Sequence, residues 1–280
     1  MFPFNNNKVM LLDGAMGTMV QKYKRKRDIV PDTLNITEAE LIKKIHSEYV
    51  DAGCDAVVTN TFRSNRLSME ECGFDFKEVI KRGIDIARSA SKDLLVAQDI
   101  GPIGKLIEPK GPISKEQAFE IYKEQIKIGK EEGVDFILIE TMYDIEELEI
   151  ALNAADYFNI PVFASMSFNK EGSTFLGYTL YDMIKTIEKY RVVAVGANCS
   201  TGPFDMINIA QEILKSTNIP VLVKPNAGIP KEIDGDLVYD VDEDEFAKHI
   251  LSMINIGVKV VGGCCGTTPS YIKRIRGLIS

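Results

Sequence analysis

The run VVAVGANCS at residues 192–200 sets the pattern from which the fold is inferred. A short β-branched apolar stretch ends abruptly in polar side chains, which is typical of a buried strand in a parallel sheet. Seven other runs share this character and are separated by longer amphipathic stretches. They begin at Val9, Asp55, Leu94, Asp135, Pro161, Pro220 and Lys259. The alternation predicts eight strands joined by helices.

The intervening stretches carry helical signals. Ile42, Ile45 and Tyr49 recur at helical spacing before the second strand, and Ser114 with Gln117 forms a capping-box pattern before another helix. Eight such units in about 250 residues predict an α/β protein with a single (β/α)8 TIM barrel. A doubly wound open sheet is the alternative. No linker-like composition divides the chain, so we expect residues 1–280 to form one domain.

Composition limits the function classes. The chain has 280 residues, 45% of them apolar, and a formal net charge of −8, which argues against nucleic acid as a main partner. No stretch reaches the roughly 18 apolar residues of a membrane helix, and the N-terminus lacks a signal-peptide pattern. The odd number of cysteines, five, favours a reducing compartment. We therefore expect a cytoplasmic protein that does not act at a membrane.

Polar side chains follow the predicted strands repeatedly. In a TIM barrel such positions gather on one face, where catalytic residues lie. They are Asp13, Asn60, Thr61, Asp99, Glu140, Asn198, Cys199, Asn226, Cys264 and Cys265. We expect Asp99 to hydrogen-bond backbone amides of its loop, whereas Asn60 and Thr61 either line a pocket or satisfy a strand end.

Three of the five cysteines form a candidate metal site. Cys264 and Cys265 are adjacent in VGGCCGTTP, where the glycines permit the backbone to leave strand geometry, and Cys199 ends the sixth run. The sixth and eighth strands flank the seventh, so the three thiols are expected to meet. Three thiolates with an open fourth position are typical of a catalytic zinc. The alternatives are a vicinal disulfide and inert buried cysteines; packing or exposure explains Cys54 and Cys72.

The motifs LLDGAMGT, PDTLNIT, TNTF, DIGPIG, GANCSTGP, KPNAG and GGCCGTTP resemble the homocysteine S-methyltransferase family, and most closely its cobalamin-dependent branch. The resemblance runs from about residue 9 to the C-terminus. It implies methyl transfer to the sulfur of homocysteine, with zinc held by Cys199, Cys264 and Cys265. It also implies that Asp13 and Glu140 receive the substrate amino group, and that backbone amides around Gly14, Ala15 and Met16 receive its carboxylate.

The chemistry of these residue types agrees with these roles in binding zinc and substrate. Zinc removes the proton of a bound thiol, which is otherwise mostly protonated at neutral pH. Asn226, on the strand between the cysteines, is a candidate resting fourth ligand because an amide oxygen is weak beside thiolate; a simple Asn-Ala-Gly turn is the alternative. Asp13 and Glu140 could otherwise cap the following helices.

The expected donor is methylcobalamin, delivered by a separate corrinoid protein in trans if the chain is complete; the chain is either a stand-alone acceptor subunit or an excised domain. S-methylmethionine, betaine and another donor are alternatives, as is a different thiol or selenol acceptor.

Arg63 departs from the family, whose members carry smaller or aromatic side chains there. Two rival functions are a Schiff-base lyase using Lys224 and a non-catalytic zinc or thiol-redox protein. His46 and His249 fall within predicted helices.

Overall fold

Eight parallel strands form the centre of the molecule. The computed structural model describes residues 8–25, 29–91, 93–233 and 236–279. The strands are Met10–Leu11 (β1), Ala56–Val58 (β2), Leu95–Ile100 (β3), Phe136–Met142 (β4), Val162–Met166 (β5), Val192–Asn198 (β6), Val221–Lys224 (β7), Lys231–Ile233 (β8), Asp236–Val238 (β9) and Val260–Val261 (β10). All except β8 and β9 belong to one sheet, ordered β1-β10-β7-β6-β5-β4-β3-β2.

The sheet closes into a barrel. Every neighbouring pair within it is parallel, and a parallel bridge between Leu12 and Ala56 joins its two edges. At this seam the Asp13 carboxylate accepts a hydrogen bond from the Val58 backbone N–H, 2.9 Å away. The closed barrel confirms the predicted fold, and it excludes the open sheet.

Helices surround the barrel. They are Met16–Lys24 (α1), Leu34–Thr37 (α2), Ala39–Asp51 (α3), Arg66–Cys72 (α4), Phe76–Ala90 (α5), Lys115–Glu131 (α6), Ile145–Phe158 (α7), Leu180–Ile187 (α8), Pro203–Ser216 (α9), Glu243–Asn255 (α10) and Pro269–Ile279 (α11). The capping box predicted from Ser114 and Gln117 is present at the start of α6. Among the described residues, no helix is long and apolar enough to cross a membrane.

The barrel interior is apolar in its centre and polar at the carboxyl ends of the strands. Its filling includes Phe136 and Phe163, whose ring centroids lie 4.3 Å apart, together with Leu138 and Leu222. Because side chains alternate along a strand, the positions two residues beyond Leu138 and Leu222 also face inward. These positions are Glu140 and Lys224. Charged groups therefore cover the apolar filling at the carboxyl ends of the strands.

One element was not predicted. The antiparallel hairpin of β8 and β9, in which Lys231 pairs with Val238, lies between β7 and α10. Its chain returns to the barrel at Tyr239, whose ring packs directly on Gly266. The hairpin therefore connects the loop after β7 with the loop that carries the vicinal cysteines.

Candidate metal and acceptor site

Three cysteine thiols meet at the carboxyl ends of the strands. Cys199 follows β6, and Cys264 and Cys265 follow β10. Their Sγ atoms all lie within 4.8 Å of one another, and those of Cys199 and Cys265 are 3.8 Å apart. All five cysteines of the chain are free, so the alternative of a vicinal disulfide is not realised in the structure.

The end of β7 holds the two cysteine segments in place. The Cys199 N–H donates to the Lys224 carbonyl at 3.0 Å, and the Cys264 N–H donates to the Pro225 carbonyl at 2.9 Å. These bonds extend the parallel ladder beyond the last regular residues of the strands. The thiols are thereby anchored on both sides of one rigid segment, as the strand order predicted.

The backbone leaves strand geometry at both cysteine segments. Asn198 is the inward residue of β6 by alternation, so a continued strand would direct Cys199 outward. Instead Cys199 and Ser200 adopt φ values of 59° and 56°, and Gly266 has φ 86°. For residues other than glycine, such left-handed conformations cost on the order of 1–3 kcal/mol. This strain accompanies the turn that directs the Cys199 thiol to its partners.

The thiols are poorly ionised without a cation. A hydrogen bond with Cys199 raises the pKa of Cys264 well above its usual value, and burial and the charges of Cys199 and Glu140 raise it further. Three thiolates in such a small volume would repel one another. A divalent cation at their centre removes this repulsion, so the cluster favours metal binding coupled to proton release.

Asn226 lies just after β7, the strand between those that carry the cysteines. Its side chain is buried, and among the described residues its Oδ1 has no hydrogen-bond partner. Its backbone N–H donates to Thr201 at 3.0 Å, which fixes the loop against the Cys199 segment. A buried, unpaired amide oxygen costs about 1–3 kcal/mol. The donor set of three thiols and one weak oxygen therefore fits a zinc ion with one replaceable ligand.

Asn198 supports the cluster from below, in a role that the sequence did not indicate. Its Oδ1 accepts hydrogen bonds from the Thr141 N–H and the Ser165 hydroxyl, both at 2.8 Å. Its Nδ2 donates to the Thr141 hydroxyl at 2.7 Å and lies 4.0 Å from the Cys264 sulfur. The side chain thus ties the ends of β4, β5 and β6 together under the thiols.

Glu140 is held by a buried lysine. Its Oε2 lies 2.5 Å from the Nζ of Lys224, and both residues are buried. Burial opposes the charge of Lys224, but the charges of Glu140, Asp99 and Asp13 outweigh it and raise the pKa of Lys224. A fully protonated amine cannot attack a carbonyl group, so this pairing argues against the Schiff-base alternative.

Two further carboxyl groups lie near this ion pair. With Glu140 and Lys224 they form a layer of charged groups at the carboxyl ends of the strands, here called the polar layer. Asp13 and Asp99 are buried, and the Oδ1 of each has no partner among the described residues. Burial raises the pKa of Asp13 to about 7, against the opposing charge of Lys224. Burial, followed by the charge of Glu140, raises that of Asp99 well above its usual value. In the part of the chain that the structure describes, the hydrogen bonds expected between Asp99 and backbone amides of its loop are therefore absent at Oδ1.

The turn after β1 presents a helix N-terminus to the site. Helix α1 begins at Met16, and no side chain caps its first turn. The Ala15 N–H donates to the Thr267 hydroxyl at 3.2 Å, in the loop of the vicinal cysteines. Uncapped first-turn amides favour an anion, as the predicted carboxylate site at Gly14, Ala15 and Met16 requires.

The polar residues after β2 support neighbouring loops. Asn60 donates to the Pro31 carbonyl and to Asn35, both within 2.9 Å, and Thr61 donates to the Asp99 carbonyl at 2.8 Å. The sequence left open whether Asn60 and Thr61 line a pocket or hydrogen-bond groups at the strand end. These contacts favour the second role.

Arg63 and the two histidines lie apart from the thiols. The Arg63 side chain is exposed, and its backbone N–H donates to Asp32 at 2.8 Å. His46 is buried in α3, where burial lowers its pKa to about 4, and His249 lies in α10 beside Phe204.

A cavity of about 590 Å³ opens beside the cluster. Thr141 and Ser200, which line it, directly follow Glu140 and Cys199 in the chain. The exposed ring of Phe175, in the loop after β5, forms part of its rim. The cavity adjoins the cluster through Thr141 and Ser200, whereas the cysteines are not among its lining residues.

The comparisons with known proteins point to one family. Residues 10–279 match the model of the family described as homocysteine S-methyltransferase. The methionine synthases of Mycobacterium leprae and Mycobacterium tuberculosis are both 30% identical over 98% of this chain, which spans about a quarter of their length. The metallated homocysteine methyltransferase MmuM from Escherichia coli superposes with a TM-score of 0.82 at 23% identity, covering 97% of this chain and 96% of that one.

The family match extends over almost the whole chain, and it includes both cysteine segments. It confirms the resemblance seen in the sequence motifs. This chain belongs to the homocysteine S-methyltransferase family, and with it to the methyltransferases.

Proposed function

We propose that this protein transfers a methyl group to the sulfur of homocysteine and forms methionine. The observation that carries the proposal is the cluster of Cys199, Cys264 and Cys265, within 4.8 Å at the mouth of the barrel. Zinc bound there would keep the acceptor sulfur in its anionic, nucleophilic form. Another thiol or selenol remains the alternative acceptor.

The chain's own residues prepare the site for this ion. Cys199, Cys264 and Cys265 are the proposed ligands, and Asn226 is the proposed resting ligand that the acceptor displaces. The buried, unpaired Oδ1 of Asn226 supports its assignment. A weak oxygen ligand leaves more readily than a thiolate, so the acceptor gains access without loss of the metal.

The polar layer and the α1 N-terminus orient the acceptor. Asp13 and Glu140 are proposed to receive its ammonium group, because they are buried carboxyl groups below the thiols. The amides around Ala15 and Met16 are proposed to receive its carboxylate. An acceptor held at both ends presents its sulfur in a fixed direction, which lowers the entropy cost of reaction.

Methylcobalamin is the proposed donor, presented by a corrinoid-binding protein or domain. Support comes from the motif PDTLNIT and from the similarity to two methionine synthases. A donor held by a corrinoid-binding protein or domain need bring only its methyl group to the cluster, and the cavity of about 590 Å³ lies beside the cluster. S-methylmethionine, betaine and another small donor are the alternatives.

We further propose that residues 1–280 act as one acceptor-binding domain in the cytoplasm. A reducing compartment keeps the three thiols available for metal. No membrane or nucleic acid is a proposed partner; the net charge of −8 disfavours nucleic acid.

A donor assay tests the function. Zinc-loaded protein and homocysteine are mixed separately with methylcobalamin, S-methylmethionine, S-adenosylmethionine and betaine, and methionine is measured. We expect methionine with methylcobalamin, free or on a corrinoid protein. Turnover with betaine or a sulfonium donor alone would overturn the donor assignment, and no methionine with any donor would overturn the function.

A further inference from the structure

Lys224 competes for the carboxylate that the acceptor is proposed to use. It is the last residue of β7, is 3% exposed, and its Nζ lies 2.5 Å from Glu140 Oε2. Glu140 is also the proposed partner of the acceptor ammonium. Two cations on one buried carboxylate repel each other strongly in a medium of low dielectric constant. The ion pair therefore bears directly on which acceptors the site admits.

The other carboxyl groups near Lys224 are weaker anions than an ordinary carboxylate. Asp13 and Asp99 are the other carboxyl groups that act electrostatically on Lys224, and burial raises the pKa of both. The raised pKa values reduce the negative charge that Asp13 and Asp99 carry near neutral pH. Lys224 is already paired with Glu140 before any acceptor arrives. An ammonium group that enters the site must share Glu140 with Lys224, or Asp13 must lose its proton to pair with it.

A carboxylate on the acceptor meets no such obstacle. Its proposed site, the uncapped N-terminus of α1 at Met16, is separate from the ion pair and carries partial positive charge. The thiol site at Cys199, Cys264 and Cys265 is equally independent of the ammonium. An acceptor that has a thiol and a carboxylate but lacks an α-ammonium keeps both favourable contacts and avoids the repulsion.

From this juxtaposition we propose that Lys224 competes with the acceptor ammonium for Glu140 and cancels most of its contribution to binding, so that the site also methylates mercaptocarboxylic acids lacking an α-amino group. The inference rests on the proposed methyl transfer to a thiol. In that step the thiol proton passes to solvent and the sulfur electron pair forms the S–CH₃ bond. The bond from the methyl group to the donor breaks, and its electron pair stays on the donor.

The test compares two thiols that differ only in the amino group, homocysteine and 4-mercaptobutyrate. Their dissociation constants are measured by calorimetry on the zinc-loaded protein. For the wild type we expect the two values to agree within about tenfold, because Lys224 cancels the gain from the ammonium. Mass spectrometry should detect the methylated thioether of 4-mercaptobutyrate. A preference for homocysteine above about tenfold, or no methylated product from 4-mercaptobutyrate, would overturn the proposal.

The variant Lys224→Met shows whether Lys224 opposes or assists binding of the acceptor ammonium at Glu140. Without the lysine, Glu140 has only the acceptor ammonium as a cation, so the preference for homocysteine should rise by about tenfold to a hundredfold. An unchanged or smaller preference would instead mean that Lys224 positions Glu140 for the ammonium, and would overturn the proposal. The matched control is Lys224→Arg, which keeps the cation and should keep the wild-type ratio.

A second variant covers a loss of folding in Lys224→Met, which leaves Glu140 without a cation. Lys224→Gln retains an N–H donor for Glu140 and should raise the same preference. The wild-type comparison decides the matter even if neither variant folds. If neither thiol binds to the zinc-loaded wild type, the proposed function fails and this inference fails with it. If both bind and the wild type strongly prefers homocysteine, only this inference fails.

Discussion

The sulfur atoms of Cys199 and Cys265 lie 3.8 Å apart, although 66 positions separate them in the chain. The two residues follow strands on either side of β7, and backbone hydrogen bonds to the end of β7 anchor the Cys199 segment and the vicinal pair. Their proximity is therefore a property of the barrel scaffold. A metal ion would bind to a cluster that the fold has already assembled.

Replacing a cluster cysteine should release metal without unfolding the barrel. In Cys199→Ser, Cys264→Ser and Cys265→Ser, zinc measured by atomic emission should fall from one ion per chain to a small fraction, because hydroxyl is a poor substitute for thiolate. Circular dichroism should remain that of a folded α/β protein.

Cys72→Ser is the matched control, since Cys72 lies in α4, outside the metal-ligand cluster. It should retain full zinc. Retention of full zinc and activity by a Cys199 variant would contradict the ligand assignment.

Glu140→Gln should weaken homocysteine binding and leave zinc binding nearly unchanged. The substitution removes the carboxylate charge and leaves the buried Lys224 ammonium facing the acceptor ammonium. The unbalanced repulsion between these two cations, added to the lost charge-assisted hydrogen bond, should raise the dissociation constant roughly tenfold to a hundredfold. Calorimetry on zinc-loaded protein provides the measurement. An unchanged constant would remove Glu140 from the acceptor site.

Asp13 should make the metal-free protein less stable as pH rises. Its pKa is raised from 3.8 to about 7, chiefly by burial, so the native state holds the proton more tightly than the unfolded state. The contribution of Asp13 to stability is therefore full below about pH 4 and is lost as pH rises to about 7, with a limiting slope near 1.4 kcal/mol per pH unit. Urea unfolding of wild type and Asp13→Asn measures it. Parallel pH profiles for the two proteins would show that Asp13 does not titrate in this window.

Gly266→Ala should destabilise the cysteine loop. Gly266 has φ 86°, and a Cβ atom there would lie 2.3 Å from the Tyr239 ring. We expect a loss of about 1–3 kcal/mol in unfolding free energy, together with weaker zinc binding. Gly277→Ala is the control, since a Cβ atom there meets nothing within 4 Å; it should be neutral or slightly stabilising. Equal stability of the two variants would contradict the proposed strain.

The strands and the thiol cluster were predictable for the same reason. Each strand is a β-branched run with a polar end, and the barrel fold places these ends on one face, which brings Cys199 to Cys264 and Cys265. The ion pair of Glu140 and Lys224 was not predictable in this way. Alternation shows that Glu140 and Lys224 face inward, but it does not show which residues meet across the barrel. Lys224 was instead considered as a nucleophile, and only its distance to Glu140 reveals a paired cation.

The hairpin of β8 and β9 was missed because its strands have three residues each and lack the longer apolar runs that mark the barrel strands. Asp234 and Gly235 are a hairpin signal in the sequence, but they lie outside the described residues. The left-handed conformation of Cys199 was equally hidden, since the residue type gives no indication of positive φ.

X-ray absorption at the zinc edge, recorded with and without homocysteine, shows whether the acceptor thiol binds the metal. We predict three sulfur ligands and one oxygen or nitrogen ligand without the acceptor, and four sulfur ligands once homocysteine displaces Asn226. In Asn226→Ala the spectrum without homocysteine should change, whereas the four-sulfur spectrum should persist. A zinc environment that is identical with and without homocysteine would contradict the claim that this cluster binds and activates the acceptor thiol.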